Sequence, residues 1–227
     1  MVHIDNWVVY DLKESVIAAR NAMRLTPPEY TDEEFEASLP RAIKLAQTPN
    51  GSAHDHFLAG IRVSYDIKYP SYFSPELQRY HFNDIVCSMS KMHKLVNMDL
   101  DVAFSKYTPE IFVAEMKSLI RKYHYLKETK RAWTFELRNG EVIHAEYPET
   151  LYYQFMICIN ACPHGIELTM RCTTNYLSLK TIYHQRKNHK LREDWVEGFC
   201  KSFIEKLPYA KEFITGELNN GINRSKN

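Results

Sequence analysis

Residues 166–186 read I-E-L-T-M-R-C-T-T-N-Y-L-S-L-K-T-I-Y-H-Q-R. The first eight alternate, with Ile166, Leu168, Met170 and Cys172 on one face, and this period of two predicts a strand. Asn175 then predicts the cap of a short helix, with Ser178, Thr181 and Arg186 following at intervals of three, three and five. A strand-to-helix joint of this kind sets a helix N-terminus, two small hydroxyls and a guanidinium near one surface. Such groups suit a phosphate or an anionic ring oxygen, so the segment predicts a nucleotide-handling site.

Working outward, Gly60–Tyr69 is the clearest strand: Ile61, Val63, Tyr65, Ile67 and Tyr69 alternate with polar residues until Pro70 closes the run. Helices are expected over 12–24, over 32–46 behind Thr31 as cap, over 75–95 behind Ser74-Pro75, and over 109–128 behind Thr108-Pro109. Two more are expected over 148–160 and 192–206. Asn139-Gly140 between partly apolar arms predicts a type I′ hairpin across 134–146. The polar tail after Asn219 is expected to fray. The pattern is that of an α/β protein of the α+β type, a helix-rich single domain around a small mixed or antiparallel sheet.

Composition narrows the function. With 227 residues, 44% hydrophobic and 25% charged, the chain can bury a core of ordinary size. A net charge of +1 gives no bulk attraction to nucleic acid or membrane. Only 7 glycines are present and no G-x-G-x-x-G or G-x-x-x-x-G-K, which removes the main support for Rossmann and Walker sites. The 5 cysteines include no C-x-x-C, and Cys158 and Cys162 read as small buried hydrophobes. Without a secretory signal or an apolar run near ~18 residues, the expected location is cytoplasmic, with reduced thiols. His54-Asp55-His56 has the look of a metal pair, but no further ligand set at a recognised spacing supports zinc, and no metal is expected.

The upstream segment runs H-D-H-F-L-A-G from His54, then the alternating strand, then P-S-Y-F-S-P-E-L-Q-R-Y-H-F-N-D-I-V-C-S-M-S-K-M-H over 70–93. A histidine before a strand, a helix carrying R-Y-H and a Ser-rich stretch resemble the flavin-dependent thymidylate synthase family, whose members carry Q-x-x-R-H-R there. The downstream segment resembles it as well. Pro163, a strand, Asn175 and Ser178 as N-x-x-S, and Arg186 eleven residues after Asn175 keep the family's pattern. With a match at Ala18-Ala19-Arg20, the likeness covers most of the chain, and the strands near 130–147 look like a hairpin insertion.

The resemblance implies a homotetramer with active sites shared between subunits, FAD as cofactor, and methylenetetrahydrofolate and NADPH as co-substrates. It implies reductive C5 methylation of dUMP without attack by a protein cysteine. His54, Arg79, Tyr80, His81 and Asn175 would then lie against the flavin. Glu76, Ser88, Ser90, Lys91, Ser178, Thr181 and Arg186 would meet the nucleotide, with Arg186 also catalytic. A cation beside the uracil carbonyls or N3 promotes negative charge at C5. Tyr80 and His81 stand where His and Arg would be expected, Lys91 where family members carry an arginine, and Ile159 where a second nucleotide-binding arginine would be. Either other residues such as Lys91 or Arg171 grip the phosphate, or the substrate is a different pyrimidine nucleotide. A non-catalytic alternative uses the basic run Lys180–Arg192 against nucleic acid, a weaker reading because no stacking platform or motif accompanies it.

Overall fold

The chain opens as strand β1 (His3–Tyr10) and turns through Asp11 into helix α1 (Leu12–Ala18). This description rests on a computed structural model and covers residues 1–49 and 51–217, so the tail after Asn219 lies outside the described residues. Helix α2 (Asp32–Ala46) begins where Thr31 predicts it, the Thr31 hydroxyl accepting from the Glu34 amide at 3.2 Å. Strand β2 (Arg62–Pro70) buries Val63, Tyr65, Ile67 and Tyr69, the face its alternation predicts.

The long helix expected over 75–95 does not form. Helix α3 stops after one turn (Ser74–Leu77), and strand β3 (Asp84–Ser88) replaces the rest. The reason lies in the sequence between them. Asn83 is buried and its Oδ1 accepts the Tyr65 hydroxyl proton at 2.6 Å, which pulls the chain off a helical path. The following Ile-Val-Cys run then suits a pleat, and β-branched residues favour extended backbone. Helix α4 (Lys91–Lys94) resumes behind Ser90, whose hydroxyl accepts from the His93 amide.

Helix α5 (Glu110–Thr129), strands β4 (Trp133–Glu136) and β5 (Val142–Ala145), and helix α6 (Glu149–Ala161) follow close to expectation. The hairpin turn differs in type. Gly140 alone has positive φ, at +85°, and its amide donates to Leu137 O at 2.9 Å. The link is thus a turn centred on Arg138-Asn139 with a left-handed glycine after it, not a two-residue type I′ loop. Strand β6 (Glu167–Asn175) and helix α7 (Tyr176–Arg186) make the joint read first from the sequence. A π-wound stretch (Arg192–Cys200) and helix α8 (Lys201–Lys206) complete the named elements.

The main sheet has the order β1-β2-β6-β3, and β1 with β2 and β3 with β6 are antiparallel pairs. The chain divides into two compact units. The first holds Met1–Tyr69, Phe73–Ser88 and Thr169–Asn227; the second holds Pro70–Tyr72 and Met89–Leu168. The first is built on fully buried rings. Tyr65, Phe73, Tyr176, Trp195, Phe199, Phe203 and Phe213 are all sealed from solvent. Trp195 lies 4.4 Å from Phe73 and 5.5 Å from Phe199, and such pairs add roughly 0.5–1.5 kcal/mol each beyond area burial. In the second unit Leu95, Met116, Ile120, Cys158 and Ile166 form one apolar cluster, and Leu126 and Phe135 anchor another under the hairpin.

Candidate functional site

Helix α7 carries Ser178, Thr181 and Arg186, and its start is fixed locally. The Asn175 side chain accepts from the Ser178 amide at 2.9 Å, a cap that stabilises by about 1 kcal/mol. One turn on, Lys180 points inward. Its ammonium donates to Ala46 O at 2.7 Å, Thr48 O at 2.9 Å and Asp55 Oδ2 at 2.6 Å, using all three protons. Asp55 is the middle residue of His54-Asp55-His56, so the buried acid ties that segment to α7 while both histidines stay exposed.

At the other end of α7, Arg186 meets Glu76 of α3 and Tyr80 just beyond it, 110 and 106 positions earlier. Its Nε donates to the Tyr80 hydroxyl at 2.7 Å and its Nη1 to Glu76 Oε2 at 3.1 Å. The guanidinium carbon lies 4.5 Å from the centre of the Trp195 ring, a cation–π contact. Trp195 Nε1 in turn donates to Glu76 Oε2 at 2.7 Å, and His189 Nε2 approaches the same oxygen at 3.7 Å. His189 Nδ1 accepts from the Leu191 amide at 3.2 Å, which leaves the neutral ring's proton on Nε2, facing Glu76. Five side chains, from α3, α7, the π-wound stretch and the segments that follow α3 and α7, thus converge within the first unit.

Protonation follows from burial. The Tyr80 phenol is raised above its ordinary value by burial, against the opposing pull of Arg186, so its oxygen accepts from Arg186 while keeping its own proton. Burial also pushes the Cys172 thiol up to about 11 and Cys200 up to about 12, the latter despite nearby Arg186. Cys158 and Cys162 are raised by burial too. None of these four thiols is a thiolate at neutral pH.

Of the residues singled out in the sequence, Glu76, Tyr80 and Arg186 come together, and Asn175 sits buried at the head of the same helix. Thr181 turns its hydroxyl back to Leu177 O at 3.1 Å, and Ser178 is half-buried beside the cap. Arg79 and His81 are exposed, and His81 packs its ring against Phe82 at 5.5 Å. His54 is exposed beside buried Asp55, and Ser88 lies on the exposed strand β3. Ser90 and Lys91 belong to the second unit, where Ser90 serves as the α4 cap. Among the described residues no three His, Cys, Asp or Glu side chains are placed to hold a metal ion.

Trp195, His189 and the Lys180–Asp55 pair escaped the sequence reading. Lys180 had a signal: it follows Tyr176 by four, on the face that also buries Leu179 and Tyr176. Trp195 carried none beyond its type.

No protein-family model matches the chain, and no curated protein matches it by sequence. Solved structures do match. One is the flavin-dependent thymidylate synthase of Helicobacter pylori complexed with FAD and dUMP, at TM-score 0.61 and 15% identity over 94% of this chain and 96% of that one. The chain has the fold of the flavin-dependent thymidylate synthases. A second structure of thymidylate synthase X from Helicobacter pylori with FAD and dUMP agrees, at TM-score 0.58 and 14% identity over 94% and 95% of the two chains. The thymidylate synthase fold therefore spans nearly the whole length, as the order of motifs implies.

Proposed function

We propose that the protein is a flavin-dependent enzyme of the thymidylate synthase type, transferring and reducing a one-carbon unit at C5 of a pyrimidine nucleotide. The first substrate to test is dUMP, with methylenetetrahydrofolate as carbon donor and NADPH as reductant. The observation that carries this reading is the joining of Glu76 and Tyr80 to Arg186, two distant segments meeting on a fold shared with an enzyme solved with FAD and dUMP. Bound FAD would supply the hydride for this chemistry.

The residues suit such a cofactor. Arg79 is exposed and makes no ion pair among the described residues, so its fork is open to an electron-rich ring or a phosphate. Arg186 is held by three partners and offers a fixed positive group to a pyrimidine carbonyl, which lowers the cost of charge building at C5. Four of the five thiols are buried and protonated, which leaves only the exposed Cys87 open to act as a nucleophile. His54, His81 and Asn175 complete the proposed flavin side; Ser88, Ser90, Lys91, Ser178 and Thr181 complete the nucleotide side.

Residues 1–227 would act as one domain in a cytoplasmic homotetramer with shared sites, the hairpin near 130–147 being an addition to it. The exposed strand β3, with Val86 at its centre and Phe82 just before it, supports a further copy packing there. A related C5 alkylation of another pyrimidine nucleotide is the second reading, supported by Lys91 where a phosphate-gripping arginine is expected. The nucleic-acid reading loses ground, because Lys180 of its basic run is buried and spent on Asp55.

The visible spectrum of freshly purified protein tests the flavin, and tritium release from C5-labelled dUMP, dCMP and UMP tests the substrate. A colourless protein that gains no flavin bands on addition of FAD and releases no tritium would overturn the proposal.

A further inference from the structure

One face of helix α2 carries an arrangement that the proposed reaction does not use. Ala37, Pro40, Arg41 and Lys44 stand at i, i+3, i+4 and i+7, a spacing that puts them on one side of the helix. With Arg20 and Met23, from the 3₁₀ turn around Asn21–Met23, they line a cavity of about 410 Å³ within the first unit. The charges around it do not balance. Arg20 Nη1 donates to Glu34 Oε1 at 3.3 Å, and Arg24 Nη2 and Ser38 Oγ donate to the same oxygen, so one carboxylate faces two guanidinium groups. Arg20 Nη1 also reaches Ala37 O at 3.4 Å, which fixes it over α2. Arg41 and Lys44 are exposed and have no ion-pair or hydrogen-bond partner among the described residues. The other acids of α2 are engaged elsewhere: Asp32 pairs with Lys13 at 2.9 Å, Glu33 acts on the same ammonium, and Glu36 acts on Tyr209. Three cations therefore line the cavity, and no carboxylate does.

Spacing decides what fits there. Arg20 sits at the level of Ala37, and Lys44 lies two turns farther along, about 10 Å at 1.5 Å per residue. A single phosphate or sulfate does not touch both ends, whereas a chain of phosphates does. Guanidinium forks bind such oxygens in pairs. The walls add an apolar flank. Pro40 removes an amide donor from the middle of α2, from which a solvated helix face gains nothing, and its ring is exposed in the cavity wall. Met23, on the opposite wall, is 77% exposed.

We infer that this cavity is an oligophosphate site, taking a free polyphosphate chain or the tail of a nucleoside triphosphate along Arg20, Arg41 and Lys44. It shares no residue with the Glu76, Tyr80 and Arg186 group, and it stands whether or not the protein methylates a pyrimidine.

Isothermal titration of the full-length protein, without magnesium and at matched ionic strength, compares tripolyphosphate, adenosine triphosphate, orthophosphate and sulfate. Tripolyphosphate is expected to bind at least about tenfold more tightly than orthophosphate or sulfate, because only the chain reaches all three cations. Replacing Arg41→Ala and Lys44→Ala together should weaken its binding at least about tenfold. Both side chains are exposed, so the variant should fold, and circular dichroism checks that it has. Tighter binding of adenosine triphosphate than of tripolyphosphate identifies a nucleotide as the ligand; equal or weaker binding assigns recognition to the phosphate chain alone. If tripolyphosphate fails to bind, or binds no more tightly than orthophosphate or sulfate, the cavity is a diffuse positive surface and the inference is wrong. Unchanged tripolyphosphate affinity in the folded double variant also overturns it, since the chain is then held elsewhere.

Discussion

Helix α7 carries two ion pairs six residues apart, and they are built for different ends. Lys180 and Asp55 are 5% and 3% exposed, and every ammonium proton has an acceptor. Arg186 and Glu76 are several times more exposed, and each leaves a polar atom without a partner. The closed pair fastens the His54 segment to the helix. The open pair leaves hydrogen-bonding capacity for something outside the chain. Counting charges along the basic run 180–192 misses this distinction, because saturation, not charge, separates a fastening from a binding group.

The contrast breaks if the two pairs respond alike to truncation. Lys180→Ala should cost about 3–5 kcal/mol of stability in a urea titration, because Asp55 stays buried without its partner. Replacing both residues, with Lys180→Met and Asp55→Leu together, should recover part of that loss. Arg186→Ala should do the reverse: about 1–2 kcal/mol of stability, but a 10²–10³-fold loss of tritium release from C5-labelled dUMP with flavin still bound. If turnover survives Arg186→Ala, its catalytic assignment is wrong.

Trp195→Phe probes the open pair more finely. It keeps a ring under the guanidinium but deletes the N–H given to Glu76, a bond to a charged group worth about 1.5–3 kcal/mol. KM for the nucleotide should rise while kcat changes little; an equal fall in kcat would assign Trp195 a part in the transition state. A pH dependence, confined to alkaline solution, lies outside both pairs. Cys172 and Cys200 ionise near 9.0 when unfolded but only at about 11 and about 12 when folded, so above pH 9 the unfolded chain binds fewer protons. Stability contributed by these thiols is therefore whole below pH 9 and declines from there up to pH 11–12. Cys200→Ala should flatten that alkaline decline in thermal melts.

Most of the fold was legible wherever one period dominated. The alternation of 62–70 and 167–175 and the caps at Thr31 and Asn175 mark β2, β6, α2 and α7 because local chemistry and burial agree there. The stretch 78–88 was not legible. Its break from helix to strand depends on Asn83 meeting Tyr65 and on β3 finding β6, contacts that no short window contains. The site divides in the same way. Arg186 and Glu76 stand in motifs, whereas Trp195 enters only because the π-wound stretch returns its ring to the guanidinium. Asp55 was hidden between two histidines, because nothing in the triplet itself signals a lysine 125 positions later.

Strand β3 has one practical consequence. Cys158, Cys162, Cys172 and Cys200 are buried, while Cys87 faces outward on β3. A maleimide dye added to the native protein should therefore attach once per chain, at the rim of the main sheet. Its colour would report whether that rim stays wet or becomes covered as copies assemble or nucleotide is added, giving a fluorescent readout of a surface that enzyme kinetics never sees.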